Sequence, residues 1–363
     1  GMKVTAINGQ PVGENPVSFK ALEKITAEGE VLDVSGQLAT DFTGIVNPTV
    51  KDSKMTVTCL KNNNQDDSPA FTFTDYPNTI FIGNDSVRNG KFSFTFTVPK
   101  DISYSNLQGK MNLYAVDTES GNEAQGNFDN FIVGGTSDTA ETDTIGPEIR
   151  ALYLNDTTFV DGGQVNTTPY FVAELWDKSG VNITGSSVGH DMMLVIDEST
   201  VLSYNLNSYY ELLPGEDGTG IVKFPIPALE PGKHTAEFWV WDILNNSTVR
   251  TFTFEVVEGL KPFLFDVIAT PGIAREQVTF HLMHNRPESR MRVGIMVYDL
   301  AGRQLWKHEE SGTSGLFGNY TVSWDLTSGG ARMRPGVYIY RAAISTDNSK
   351  DATKARKFII LGE

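Results

Sequence analysis

Large apolar and small polar side chains alternate along much of this chain. In Phe92-Ser93-Phe94-Thr95-Phe96-Thr97-Val98 the alternation holds for seven positions. Successive side chains on a strand point to opposite faces, so such a segment buries one face and wets the other. Asn89-Gly90 before it is a tight-turn signal, and Pro99 after it removes a ladder donor. The same period returns at Met55-Thr56-Val57-Thr58-Cys59-Leu60 and at Phe71-Thr72-Phe73. It recurs at Thr251-Phe252-Thr253-Phe254-Glu255-Val256 and at Val337-Tyr338-Ile339-Tyr340. No convincing helical stripe is present; the stretches that come nearest run from Phe19 to Ile25 and from Asn207 to Leu213. Many short strands separated by glycine- and proline-rich turns predict β-sandwiches.

Two stretches divide the strand-rich regions. Residues 134–144 are polar, acidic and without a large apolar side chain, so they can bury little. Val257-Glu258-Gly259-Leu260-Lys261-Pro262 is the second, and a charge step coincides with it. Residues 259–363 hold 14 basic and 10 acidic side chains, a net of +4, whereas residues 1–258 hold 15 basic and 35 acidic, a net of −20. The predicted organisation is all-β, with three consecutive immunoglobulin-like β-sandwich domains. They span 1–135, with an N-terminal connecting segment, then 147–258 and 259–363; residues 136–146 form an acidic linker. Each is near the roughly 100 residues of such a sandwich. The overall charge of −16 argues against nucleic acid, because phosphate needs a basic face. A single cysteine leaves no internal disulfide framework and no cysteine-rich zinc site. No apolar run approaches a membrane span, and no signal peptide opens the chain. Gly1-Met2 reads as a cloning remnant, which predicts a native part ahead of it.

The residues that carry chemistry are few. Cys59 is the only thiol, and on a strand it shares a face with Met55 and Val57, the placement of a core cysteine. Of the histidines, His234 and His308 form no motif, and His281 and His284 sit three apart on a strand and so point to opposite faces. In Gly189-His190-Asp191 a carboxylate stands beside an imidazole it could orient, and Ser186 and Ser187 are the hydroxyls nearby. A structural hydrogen-bonding role is expected for His190, and no catalytic residue is expected anywhere. Asp177-Lys178-Ser179-Gly180-Val181-Asn182 and Asp242-Ile243-Leu244-Asn245-Asn246 are oxygen-rich turns after strands. They make Asp177, Asn182, Asp242 and Asn245 candidate calcium ligands, since calcium takes six to eight oxygens from such loops. The spacing is not that of an EF-hand, and Asx turns, in which the carboxylate caps its own backbone, are the favoured alternative. No other cofactor is expected. Trp239 and Trp241 share one strand face; core packing is expected of them ahead of sugar stacking.

Several stretches in order resemble one family. Gly29-Glu30-Val31-Leu32-Asp33, Asp41-Phe42-Thr43-Gly44, Gly90-Lys91-Phe92-Ser93-Phe94 and Val98-Pro99-Lys100-Asp101-Ile102 open the series. Asp143-Thr144-Ile145-Gly146-Pro147, the two oxygen-rich turns, and Leu229-Glu230-Pro231-Gly232-Lys233-His234 continue it. Val297-Tyr298-Asp299-Leu300-Ala301-Gly302-Arg303 and Pro335-Gly336-Val337-Tyr338-Ile339-Tyr340-Arg341 close it. Together they resemble the C-terminal non-catalytic region of the PorU family, the type IX secretion system sortases of Bacteroidetes, which are gingipain-like cysteine peptidases. The last domain is similar to a type IX secretion tail, although Thr270-Pro271 stands where such tails often carry Asn-Pro. The resemblance implies an accessory and interaction region at the cell surface, associated with the outer membrane. The absent peptidase domain would remove secretion signals and join cargo to lipopolysaccharide. Implied partners are that domain, other outer-membrane components of the system, cargo C-terminal domains and anionic lipopolysaccharide, which the +4 domain would meet. The alternatives are a stand-alone cell-surface adhesin or carbohydrate-binding protein, and a secreted hydrolase fragment with an export tail.

Overall fold

The computed structural model describes residues 1–60, 69–138, 143–185, 189–213, 218–316, 318–346 and 348–361. Ser186, Ser187 and linker residues 139–142 lie outside the described residues. The protein is all-β, built of immunoglobulin-like sandwiches. Among the described residues the regular non-strand element is one 3-10 turn, Asn207–Tyr209, and no helix is long and apolar enough to cross a membrane. Phe19 to Ile25 falls in the strands Val17–Ala21 and Lys24–Val31.

The chain forms two compact units. The first contains residues 1–152, 173–223 and 236–251, and the second contains 153–172, 224–235 and 252–363. In the first unit a nine-stranded sheet runs Glu123–Phe128, Lys110–Asp117, Gly44–Lys51, Asp85–Arg88, Lys91–Thr97, Lys24–Val31, Met2–Ile7 and Gln10–Pro11, with Thr79–Ile82 beside Gly44–Lys51. A three-stranded sheet of Leu107–Gln108, Phe131–Thr136 and Val17–Ala21 belongs to the same unit. The alternating segment behaves as its pattern requires: Phe92, Phe94 and Phe96 are all buried, and Ser93 and Thr95 are exposed. Asn89 and Gly90 both have positive φ, 52° and 73°, the backbone of the two-residue hairpin turn between Asp85–Arg88 and Lys91–Thr97. Gly29 pairs with Phe92 across the ladder, and a Cβ there would lie 2.2 Å from the Phe92 ring. The absent side chain is what lets the ring lie flat over the neighbouring strand. Phe19 stacks on Phe131 at 4.3 Å and edge-on to Phe96, tying the small sheet to the large one.

Further along the first unit, Met193–Ile196 pairs antiparallel with Ser203–Asn205 and with the strand Gly232–Trp241. Ala236, Phe238 and Val240 form its buried face, and Trp239 and Trp241 are half-buried on the other. In the second unit, Gln164–Val165 runs parallel to Glu255–Val256. A three-stranded sheet, Leu264–Thr270, Val278–His284 and Asn319–Trp324, faces a five-stranded one. The latter runs Ile273–Ala274, Ala352–Ile360, Gly336–Ser345, Arg290–Tyr298 and Gln304–Thr313. Phe280 is the hub of their core, with Tyr340 at 4.9 Å and Phe358 at 6.0 Å. Buried Tyr340 satisfies its hydroxyl on the Val267 carbonyl at 2.9 Å.

One expectation fails. Cys59 is exposed, not buried in a core. Among the described residues the strands Met55–Thr58 and Thr72–Asp75 pair only with each other, and Met55, Phe71 and Phe73 stay open to solvent. Alternation gives this ribbon an apolar face, but no second layer covers it among the described residues.

Candidate functional site

Two polar clusters gather in the first unit where the strands Tyr170–Trp176 and Gly232–Trp241 end. Each strand runs out into a turn opened by an aspartate. Asp177 Oδ1 accepts the backbone N–H of Ser179 at 2.7 Å and of Gly180 at 2.9 Å. Asp242 Oδ1 accepts those of Leu244 at 2.9 Å and Asn246 at 2.7 Å. These are the Asx turns that the sequence favoured. The turns are joined by a bridge between Val181 and Asp242, and by the Ile243 N–H on the Gly180 carbonyl at 3.0 Å.

Joining the turns brings Asp177 and Asp242 together, and Asp143 completes the group; one carboxylate oxygen of each lies within 4.8 Å of the others. Asp143 comes from the segment before Ile145 and accepts the Ser179 hydroxyl at 2.8 Å and the Ile145 N–H at 3.0 Å. Three acids at this distance cannot all ionise cheaply. Burial pushes the Asp177 carboxyl up to about 6, opposed by its two N–H donors and reinforced by Asp242 and Asp143. Burial also raises Asp242, whereas the Ile145 N–H and the Ser179 hydroxyl hold Asp143 below the ordinary value. Most of the oxygens a cation would use are taken: Asp242 Oδ2, for one, accepts the Asn246 amide at 2.7 Å.

Asn182 and Asn245 do not join this group. Asn182 Oδ1 caps Thr184 at 3.0 Å, and its amide reaches Asp101 Oδ2 at 3.3 Å. The Asn245 amide donates to Asp101 Oδ1 at 2.8 Å. The third partner of Asp101 is His190, Nδ1 to Oδ2 at 2.6 Å, and the His190 ring packs on Trp241 with centroids 4.5 Å apart. Asp101 is thus a nearly buried carboxylate receiving two amides and an imidazole. The Lys100 N–H bonds to the Ile243 carbonyl at 2.8 Å, so the 98–102 segment is pinned to the second turn. The partner of His190 is Asp101, 89 positions away, and the adjacent Asp191 instead receives the Asn207 amide at 2.7 Å. Neither Asp101 nor Asp143 carried a sequence signal for this role. The four candidate calcium ligands therefore divide between two clusters.

A cavity of about 770 Å³ adjoins Asp177, with Lys24, Phe81, Tyr210 and Ile243 in its wall. Tyr210 is buried, and burial raises its phenol. The other histidines lie elsewhere. His234 Nε2 meets the Glu230 carbonyl at 2.8 Å, and His308 Nε2 meets Glu310 at 2.9 Å. His284 is buried at a strand end and pushed down to about 4 by burial and by Arg286, while His281 is half-exposed on the opposite face.

No family model matches the chain, and no protein of curated function matches it. Among solved structures the chain is similar to dimeric latent PorU from Porphyromonas gingivalis, with 37% identity over 100% of this chain and 34% of that one, at a TM-score of 0.44. The chain thus spans about a third of the length of that protein. The N-terminal Ig1-2 module of the Drosophila receptor protein tyrosine phosphatase DLAR is also similar, at 11% identity over 60% of this chain and 100% of that one, with a TM-score of 0.24.

Proposed function

We propose that this chain is a non-catalytic interaction region of a PorU-like type IX secretion sortase. In this reading the chain is three sandwich modules, 1–135, 147–258 and 259–363, with 136–146 as linker. They stand behind a gingipain-like cysteine peptidase domain at the cell surface, in association with the outer membrane. The observation that carries the proposal is residue identity: 37% across the whole chain, against a protein three times as long. Sandwiches make stiff spacers that present end loops and strand faces to partners. Their work here would be to brace the peptidase domain and hold cargo C-terminal domains while the signal is removed. Docking to outer-membrane components of the system belongs to the same role, and the +4 module would face anionic lipopolysaccharide.

The test is an immobilised full chain, challenged with cargo C-terminal domains and assayed against Arg- and Lys-ester substrates. The expected result is capture of the cargo domains without hydrolysis. Hydrolysis that disappears in Cys59→Ala, or failure to retain any cargo domain, would overturn it.

A further inference from the structure

The solvent face of three adjacent strands in the nine-stranded sheet carries an unusual set of side chains. The ladder places Asn127, Asn112 and Thr49 in one row across Glu123–Phe128, Lys110–Asp117 and Gly44–Lys51. Gln125, Tyr114 and Asn47 form the next row. Asn47, Asn112, Gln125, Asn127 and Tyr114 are all exposed, over a shallow depression of about 590 Å³ lined by uncharged residues alone.

Asparagine is depleted in strands, where threonine or valine would pack better on a pleated surface. Three asparagines on neighbouring positions, Asn47, Asn112 and Asn127, break that local preference, and such breaks are expected at functional sites. Nor do the amides repay the cost by bonding to each other. Asn112 and Asn127 are direct cross-strand partners, yet none of the four amide side chains makes a hydrogen bond among the described residues. The exposed Tyr114 ring stands in the middle of the second row, between Gln125 and Asn47.

We propose that this face is a binding site for a neutral glycan, with Tyr114 stacking on a sugar ring and Asn47, Asn112, Gln125 and Asn127 bonding its hydroxyls. An amide offers a donor and an acceptor together, the match for a sugar hydroxyl that is itself both. A phosphate or carboxylate wants donors alone, supplied by arginine or lysine, and neither lines the patch. Side chains about 4.8 Å apart within a row, and rows about 7 Å apart along the strands, give a grid the size of one or two pyranose rings. The ring of Tyr114 offers an apolar face to the C–H face of a sugar and keeps its polar tip wet.

The full chain is titrated calorimetrically with a panel of neutral oligosaccharides (glucan, mannan and galactan fragments) and with an anionic polysaccharide. The side-chain amide resonances are followed by NMR in parallel. The expected result is saturable binding of at least one neutral oligosaccharide that shifts asparagine and glutamine side-chain amides. Tyr114→Ala should weaken it about tenfold or more, without moving the melting temperature. Asn112→Asp, which keeps the shape but removes the donor, should weaken it as well. Absence of binding across the neutral panel, binding indifferent to Tyr114→Ala, or preference for the anionic polysaccharide would each overturn the assignment.

Discussion

At Asp177 two demands compete. Its Oδ1 must accept two backbone N–H groups to close the turn, and its charge must sit buried beside Asp242 and Asp143. The first demand is met by any side-chain oxygen, the second is met best by a neutral group. The folded carboxyl titrates at about 6 against an ordinary value of 3.8, so the folded state holds its proton where the unfolded state has released it. Stability from this group is therefore greatest below about pH 4, falls as pH rises from about 4 to 6, and is lowest above 6. Asp177→Asn keeps the acceptor and removes the charge. Thermal melts should show the variant more stable than the parent at pH 7.5, with the gain shrinking below pH 6 and gone near pH 4. A loss of stability at pH 7.5 would mean that the negative charge is wanted there. A parent whose melting temperature rises with millimolar calcium, while the variant's does not, would give the charge a cation to hold. The Asx character of these turns was legible in the sequence because both ends of each hydrogen bond lie within four residues. Asp143 and Asp101 were not legible, because 34 and 89 positions separate them from Asp177 and His190, and only the folded chain closes those gaps.

The ribbon of Met55–Thr58 and Thr72–Asp75 shows what a period of two can and cannot say. Val57 pairs with Phe73, and the Cys59 N–H bonds to the Phe71 carbonyl at 2.8 Å. Met55, Val57, Cys59, Phe71 and Phe73 therefore share one face, and Thr56, Thr58, Thr72 and Thr74 the other. The segment around Phe92 has the same alternation, yet there the apolar face lies inside a sandwich, with Phe81 stacked on Phe96 at 4.9 Å. Periodicity fixes that a strand is two-faced. Whether a second layer covers the apolar face depends on residues far away in the chain, which no local pattern encodes. Exposure has a chemical readout: a maleimide should modify Cys59 fully in the native protein, at the rate seen in urea to within a few-fold. Phe71→Ser should leave the melting temperature unchanged, whereas Phe94→Ala, cut from the core, should cost about 3–5 kcal/mol. Protection of Cys59 until the protein is denatured would restore the core placement that alternation alone suggested.

On the scale of the molecule, the step in charge near Gly259 raises the question of whether residues 259–363 are a folding unit. Their core answers from its composition. Its buried apolar residues run from Leu264 to Ile360, and the partly buried side chains packed on them, Leu305, Trp306, Tyr320 and Met333, lie in the same interval. Both sheets are drawn from this interval too, so every ladder in them closes without help from earlier strands. The aromatic centre of Phe280, Trp324, Tyr340 and Phe358 joins the two sheets, and side chains of this size supply the largest apolar burial per residue. A sandwich of about 100 residues with a closed core of its own is large enough to fold independently. Residues 259–363 expressed alone should therefore melt in one cooperative transition, with the near-ultraviolet dichroism of packed tryptophans. Phe280→Ala should remove about 3–5 kcal/mol from that transition. A fragment that binds a hydrophobic dye and loses its near-ultraviolet signal while keeping strand content would show that neighbouring residues complete the core. The charge step would then mark a change of surface without a boundary of folding.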